Sequence, residues 1–173
     1  MEERKAAVTL KGNPFTLLGP ERKAGDKLPD FTLTDTSLKP VTSAGTRGTV
    51  RIFASVPSLD TPVCDLETRR FNEEATQLGG NVRVITVSMD LPFAQKRWCG
   101  AAGVEHVQTL SDYQSGSFGR AMGTMIKELH LESRAVFVVD KNDVIRYAEY
   151  VPEVGEHPNY DRALAAARQL VGG

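Results

Sequence analysis

The chain has 173 residues, of which 40% are hydrophobic and 25% are charged, a composition typical of a folded globular protein that excludes wholesale disorder. Its 21 basic and 22 acidic residues give a net charge of −1, so no electrostatic footprint indicates binding to nucleic acid or to an anionic membrane. We interpret residues 1–173 as a single domain, because this length supports one substantial hydrophobic core.

The N-terminal sequence MEERKAAVTLKG has no apolar segment of the kind that signal peptides carry, and no run of about 18 apolar residues could span a bilayer. We therefore expect a cytoplasmic protein without membrane contact, in which both cysteines are normally reduced. Residues 6–18 predict a β-hairpin around Lys11–Pro14. Residues 19–47, rich in Gly, Pro, Thr and Asp, contain only short strand-like pieces.

Two buried strands with a helix between them are predicted in the middle of the chain. Residues 49–56 (TVRIFASV) and 82–88 (VRVITVS) are the strands. Between them, apolar residues recur at roughly helical spacing, and Gly79-Gly80 end that helix. These apolar residues are Val63, Leu66, Phe71, Ala75 and Leu78. The strand–helix–strand order predicts a parallel βαβ unit with a right-handed crossover.

The later elements complete an α/β arrangement. A short helix is predicted from Pro92 to Cys99, with Gly100 just past its end. In chain order there follow a strand near Val107–Leu110, a short helix near Phe118–Met122, a hairpin of strands 134–140 and 144–150, and a terminal helix over about residues 158–171. This order predicts a thioredoxin-like α/β fold: a mixed central sheet flanked by helices, with an N-terminal β-hairpin.

Cys64 lies in the segment PSLDTPVC (residues 57–64), where the first buried strand ends and the next helix begins. Thr61 is a favourable N-cap and Pro62 suits the first helical position, so Cys64 is the third helical residue. Unpaired backbone N–H groups and the positive end of the helix macrodipole favour a thiolate there. Cys64 is therefore a candidate nucleophile, although free cysteines are also often inert core residues.

The second cysteine, Cys99, has different predicted surroundings. It falls in the last turn of its helix, where the macrodipole disfavours a thiolate. The two cysteines are too far apart for a Cys-x-x-Cys motif, and the three scattered histidines do not pair with either at ligand spacing, so we predict no metal and no cofactor. Two thiols of unlike reactivity suggest a cycle in which a sulfenic acid condenses with the second thiol, as in peroxide reduction or redox sensing.

Residues 57–64 match the Pro-x-x-x-Thr-x-x-Cys motif of peroxiredoxins, and Arg134 matches the active-site arginine of that family. Over nearly its whole length the chain resembles bacterial thiol peroxidases, which are atypical two-cysteine peroxiredoxins. In these proteins the resolving cysteine lies in the helix after the second βα step, here Leu91–Gly100. Pro62 is a small departure, because glycine is more usual there, but the first helical position tolerates proline.

The resemblance implies a peroxidase with a peroxide substrate, a homodimeric state and thioredoxin as reductant. Cys64 would be the peroxidatic nucleophile and Cys99 the resolving cysteine, joined in an intramolecular disulfide. Thr61 would donate its hydroxyl to the peroxide, and Arg134 would supply donors and a positive charge. In a thioredoxin-like sheet the strand after Arg134 runs antiparallel beside strand 49–56, which would turn Arg134 toward the site. Pro57 would shape the pocket and limit the access of water.

Formation of that disulfide requires a change of structure. The two Cα atoms must come within about 4.4–6.8 Å, which the ends of two separate helices are not expected to satisfy. We therefore expect one or both helices to unwind locally, and the short helix before Gly100 is expected to fray at modest cost. Trp98, beside Cys99, would pack in one state and be exposed in the other.

Two functions of other classes are compatible with the same residues. One is a thiol redox sensor, whose disulfide alters a partner contact; it would oxidise once and show no sustained peroxide consumption. The other is a structural thioredoxin-like domain with inert cysteines, which pH-dependent alkylation would reveal. The sequence does not rank hydrogen peroxide against organic hydroperoxides, although the apolar neighbours of the site hint at alkyl hydroperoxides.

Overall fold

The computed structural model describes residues 1–172, in which eleven strands form two sheets and four α-helices pack on the larger sheet. The strands are β1 (Glu3–Leu10), β2 (Asn13–Leu18), β3 (Thr32–Thr34), β4 (Pro40–Thr42), β5 (Val50–Ser55), β6 (Val82–Ser88), β7 (Val107–Ser111), β8 (Met125–Ile126), β9 (Leu131–Glu132), β10 (Ala135–Val139) and β11 (Ile145–Tyr150). The helices are α1 (Pro62–Leu78), α2 (Pro92–Ala102), α3 (Ser117–Met122) and α4 (Tyr160–Gly172). Within residues 1–172, every helix is too short or too polar to cross a membrane.

The seven-stranded sheet has the order β11-β10-β5-β6-β7-β3-β4. Strands β5, β6 and β7 are parallel to one another, whereas β10 pairs antiparallel with β5 and β3 pairs antiparallel with β7. Every residue of β5 is buried, as expected of a central strand that is covered on both faces. The predicted fold class, a mixed sheet with flanking helices, is confirmed.

The sheet separates two apolar clusters. Ile52 and Ala54 of β5 pack on the side of α1 and α4, while Phe53 packs on the opposite side with Phe118 of α3. This alternation follows from the period of two along a strand. Apolar side chains cover both faces of the sheet. A polar functional site is therefore expected at the ends of the strands, where the loops to α1 and α2 begin.

The N-terminal hairpin is present, and it belongs to a second, four-stranded sheet with the order β1-β2-β8-β9. It begins at Glu3, earlier than predicted, and a bulge around Ala6 (φ +52°) interrupts its pairing. The sequence did not predict β8 and β9. Each has two residues, too few to show the alternation that identifies a strand.

The predicted end of the second helix, at Cys99, is wrong. Helix α2 continues through Gly100 to Ala102 and ends at Gly103, which has φ +68° and donates its N–H to the Cys99 carbonyl (3.0 Å). Glycine adopts this left-handed conformation at no steric cost, so Gly103 stops the helix and Gly100 does not. Cys99 still lies in the last turn, as predicted, but the helix has eleven residues.

The buried face of α1 also differs from the predicted one. Leu66 was assigned to the apolar face but is 56% exposed. The buried residues are Cys64, Glu67, Thr68, Phe71 and Ala75. A charged residue, Glu67, therefore occupies the position one turn after Cys64 on the face that packs against the protein.

Candidate active site

Cys64 lies in the first turn of α1 and is fully buried. Pro62 is the first helical residue and Thr61 the N-cap, as predicted, and the Thr61 Oγ1 accepts a hydrogen bond from the Cys64 N–H (3.4 Å). The cap holds the turn in place at the N-terminus of a seventeen-residue helix. The sulfur therefore lies at the positive end of the α1 macrodipole.

Arg134 lies directly beside Cys64. Ala135 of β10 pairs with Ser55 of β5 in antiparallel register, so the residue before β10 lies at the end of β5. From there Arg134 donates a hydrogen bond from Nη2 to the Cys64 Sγ (3.2 Å), and its side chain is 2% exposed. The antiparallel strand arrangement expected from the sequence thus brings these two side chains together.

Two further contacts fix the Arg134 guanidinium. Nη1 donates to Glu67 Oε2 (2.5 Å), and Nε donates to the carbonyl of Val154 (2.9 Å). The planar fork therefore bonds three partners through three different nitrogens, whereas a lysine would have to reach all three from one nitrogen. Burial by itself would lower the pKa of Arg134, but the neighbouring Glu67 and Cys64 outweigh it and raise that pKa above its ordinary value.

Glu67 is a site residue that the sequence prediction missed. Its carboxyl is completely buried, and burial raises the pKa of Glu67 to about 7 even though Arg134 opposes that shift. Among the described residues, its second oxygen, Oε1, has no hydrogen-bond partner, which favours a protonated carboxyl. The signal in the sequence was its spacing: Glu67 lies three residues after Cys64 and four before Phe71, on one helical face.

Thr61 and Pro57 lie in the turn between β5 and α1. The Thr61 hydroxyl donates to the carbonyl of Ser58 (3.1 Å), so in this conformation its proton is not directed at the Cys64 sulfur. Pro57 is half-buried at the bend that follows β5. Thr61 thus acts as a helix cap here, and a role of either residue toward a peroxide stays a prediction.

An apolar wall lies against the Cys64 thiol. Val56, Leu59 and Trp98 pack with Cys64 in one cluster, and Trp98 belongs to α2. The indole N–H of Trp98 donates to Asp65 Oδ1 (3.1 Å), which also accepts from Nε of Arg69 (3.0 Å). Helices α1 and α2 are therefore joined by a polar contact one residue away from each cysteine.

Cys99 is half-buried, and its thiol lies on a different side of α2 from the Trp98 indole. Its Sγ is 3.5 Å from the hydroxyl of Thr109 on β7. A cavity of about 260 Å³ lies next to it, lined in part by Lys96 and Asp35. Both cysteines are free thiols. The structure therefore places the candidate resolving cysteine on the neighbouring helix, with the Trp98 ring against Cys64.

Comparison with known proteins shows the family. Residues 23–164 match the Redoxin family. A thiol peroxidase of Halalkalibacterium halodurans is 56% identical over 163 residues, which cover 94% of this chain and 98% of that protein. A thiol peroxidase of Bacillus subtilis is 54% identical over 166 residues, with coverage of 96% and 99%. A peroxiredoxin-like protein from Aquifex aeolicus, known from a crystal structure, is 40% identical in sequence and superposes with a TM-score of 0.87 over 96% of this chain and 98% of that one.

The fold, the presence of two cysteines and the similarity to known proteins all indicate the same class of protein. The chain belongs to the Redoxin family and is a peroxiredoxin. Within that class it is an enzyme of the thiol peroxidase group, two members of which match 94% and 96% of the chain at 56% and 54% identity. The expected family is confirmed, and peroxide reduction is the activity that it supports.

Proposed function

We propose that this chain reduces peroxides through a sulfenic acid on Cys64, which Cys99 of the same monomer resolves as a disulfide that thioredoxin reduces. The hydrogen bond from Arg134 Nη2 to the Cys64 Sγ, 3.2 Å long and fully buried, is the observation that carries the proposal. Burying a guanidinium is costly, so an inert core cysteine would gain little from such a neighbour. A thiolate, in contrast, gains a charge-assisted donor.

In the first step, the Cys64 thiolate attacks one oxygen of the peroxide. A sulfur–oxygen bond forms, the O–O bond breaks, and the second oxygen leaves as an alkoxide, or hydroxide, that takes a proton from its surroundings. The leaving oxygen gains negative charge in the transition state, so donors aimed at it lower the barrier. Arg134 and the N–H groups of the first turn of α1 supply them, and Thr61 would add its hydroxyl by turning away from the Ser58 carbonyl.

In the second step, the Cys99 thiolate attacks the sulfur of the Cys64 sulfenic acid. The disulfide forms and hydroxide leaves, taking up a proton to become water. Because the Cys99 thiol contacts Thr109 while Trp98 packs on Cys64, the last turns of α2 must unwind and Trp98 must leave its place. The contacts that must break include the Trp98–Asp65 hydrogen bond and one from Arg69 Nη1 to the carbonyl of Ala102 (3.3 Å).

An external dithiol must then reduce the disulfide by exchange. The family resemblance points to thioredoxin, and the half-exposed Cys99 is the sulfur that it could attack first. The resemblance also points to a homodimer, which sedimentation would test. The apolar neighbours Val56, Leu59 and Trp98 support organic hydroperoxides as substrates beside hydrogen peroxide.

The proposal is tested by peroxide consumption in the presence of thioredoxin, thioredoxin reductase and NADPH. The intact chain should turn over many times, and Cys64→Ser should show no activity, because a serine hydroxyl without a base is a poor nucleophile. Turnover by Cys64→Ser would contradict the role of Cys64. A single oxidation of the intact chain without sustained consumption would instead indicate a redox sensor.

A further inference from the structure

The carboxylate of Asp90 connects the two segments that carry the cysteines. Asp90 lies in the loop between β6 and α2, two residues before Pro92. Its Oδ1 accepts a hydrogen bond from the Ser58 hydroxyl (2.7 Å), and its Oδ2 accepts one from the Leu59 N–H (2.9 Å). Both donors belong to the turn between β5 and the Cys64 helix, 31 and 32 residues away in the chain.

From Ser58 the contacts continue to Cys64. The Ser58 Oγ also accepts from the Asp60 N–H (3.2 Å), and the Ser58 carbonyl accepts from both the N–H (3.2 Å) and the hydroxyl (3.1 Å) of Thr61. The Thr61 Oγ1 in turn accepts from the N–H of Cys64. An unbroken series of hydrogen bonds therefore runs from Asp90 through Ser58 and Thr61 to the backbone of the candidate nucleophile.

The other side of Asp90 is anchored to the sheet. The Ser88 hydroxyl donates to Asp90 Oδ2 (2.8 Å), and the Ser111 hydroxyl donates to the Asp90 carbonyl. The buried side chain of Gln95 donates to the Ser88 hydroxyl (3.1 Å) and to the carbonyl of Leu110 (3.0 Å). Asp90 is thus fixed to β6 and to β7, and its carboxylate accepts hydrogen bonds from the turn before the Cys64 helix.

We propose that Asp90 is a positioning residue for the peroxide reaction, because it holds Ser58 and Leu59 and thereby the backbone of the turn that carries Thr61 and Cys64, from which the Thr61 hydroxyl rotates to the peroxide. This inference rests on the proposed function of Cys64 and adds a group outside the Pro-x-x-x-Thr-x-x-Cys segment. Asp90 acts through Ser58 and touches neither the Cys64 sulfur nor the peroxide.

The test compares two rates on the same variants. One is the oxidation of Cys64 by hydrogen peroxide in a single turnover, which depends on the position of the Thr61 hydroxyl. The other is the alkylation of Cys64 by iodoacetamide, which requires the thiolate but no donor to a leaving oxygen. Asp90→Asn removes one acceptor oxygen, and Ser58→Ala removes only the side-chain link to the turn. Ser117→Ala is the control, since it removes a serine hydroxyl whose hydrogen bond, from the Thr32 N–H (3.0 Å), lies outside the series that contains Asp90.

We expect Asp90→Asn to slow oxidation by about 10- to 100-fold, the effect of small misplacements of reacting groups. Ser58→Ala should slow it less and Ser117→Ala should have little effect, with alkylation changed by less than about threefold in all three. Equal oxidation rates in Ser58→Ala and the intact chain would overturn the proposal, as would parallel losses in oxidation and alkylation. The intact chain is the reference: if peroxide does not oxidise its Cys64, the proposed function itself fails.

Discussion

The surroundings of the two cysteines differ in almost every respect. Cys64 is fully buried in the first turn of a long helix, and its sulfur accepts a hydrogen bond from a buried arginine. Cys99 is half-exposed in the last turn of a shorter helix, and its sulfur lies 3.5 Å from the neutral hydroxyl of Thr109. One thiol is buried with a charged donor already in place, and the other is partly exposed near the end of a helix.

This difference matches the two tasks of the proposed cycle. A nucleophile gains from donors that are already in place when charge develops, because they need no reorganisation during the reaction. A resolving thiol must instead travel, so it is better placed in a segment that unfolds locally at low cost. The contrast predicts that changes around Cys64 alter the first oxidation, whereas changes around Cys99 alter the steps that follow it.

The largest expected effect separates the two steps by removing Cys99. Cys99→Ser should leave the first oxidation unchanged, because Cys64 and its donors are untouched. Thioredoxin-dependent turnover should fall to a trace, since the sulfenic acid has no internal partner and accumulates or over-oxidises at high peroxide. Dimedone labelling and steady-state NADPH consumption measure the two outcomes. Full thioredoxin-dependent turnover by this variant would show that Cys99 is not the resolving thiol.

A large effect on the first step is expected at Arg134. Arg134→Ala should slow oxidation of Cys64 by about 10²- to 10³-fold, the usual cost of losing a transition-state donor. Arg134→Lys is the matched control: it keeps the charge but cannot bond Cys64, Glu67 and Val154 together, and should have an intermediate rate. Stopped-flow oxidation at neutral pH, with circular dichroism to verify the fold, measures this. An unchanged rate in Arg134→Ala would leave Arg134 without a catalytic role.

A smaller, pH-dependent effect is expected at Glu67. Its folded-state pKa, about 7, is above the ordinary value of 4.5, so the folded protein binds this proton more tightly than the unfolded chain. The stability that it contributes is therefore complete below pH 4.5 and is lost as the pH rises toward 7. Glu67→Gln should remove this loss, on the order of 2 kcal/mol between pH 5 and pH 8, in urea unfolding.

The same substitution should change Cys64. Above pH 7 an ionised Glu67 partly neutralises the positive charge of Arg134. Replacing Glu67 with a neutral amide removes this compensation, so Arg134 stabilises the Cys64 thiolate more strongly. Iodoacetamide alkylation of Cys64 at pH 8 should become faster in Glu67→Gln by several-fold, on the scale of one lost charge interaction. Identical pH profiles for stability and alkylation in the variant and the intact chain would show that Glu67 does not titrate in this range.

The smallest effect is expected at the contact between the two helices. Trp98→Phe keeps an aromatic ring against Cys64 but removes the hydrogen bond to Asp65 Oδ1. Without this hydrogen bond, the folded state of the last turns of α2 should be about 1 kcal/mol less stable relative to the unwound state, so disulfide formation should be about fivefold faster. Over-oxidation of Cys64 should decrease, and the rate of the first oxidation should not change. Rapid-quench mass spectrometry follows both species. A slower disulfide step would mean that Trp98 guides Cys99 instead of retaining it.

The sequence was sufficient for the central features because local rules determine them. The order of apolar strands and helices defined the parallel core, and the Thr61-Pro62 pair defined the helix start that places Cys64. What was missed depends on long-range packing. The spacing of Glu67 puts it on the face of Cys64 and Phe71, but its ion pair with Arg134 is a tertiary contact. The hydrogen bonds of Asp90 to a turn some 30 residues away and the two-residue strands β8 and β9 also follow from tertiary contacts, which no local pattern encodes.

The division of labour between the two cysteines is tested most directly by mapping the disulfide of the oxidised protein. The intact chain is treated with one equivalent of hydrogen peroxide, alkylated, digested without reduction and analysed by mass spectrometry beside non-reducing electrophoresis. We expect a Cys64–Cys99 disulfide within a monomer, with no disulfide-linked dimer. A disulfide-linked dimer as the main product would contradict it, because Cys99 would then not resolve the Cys64 of its own chain.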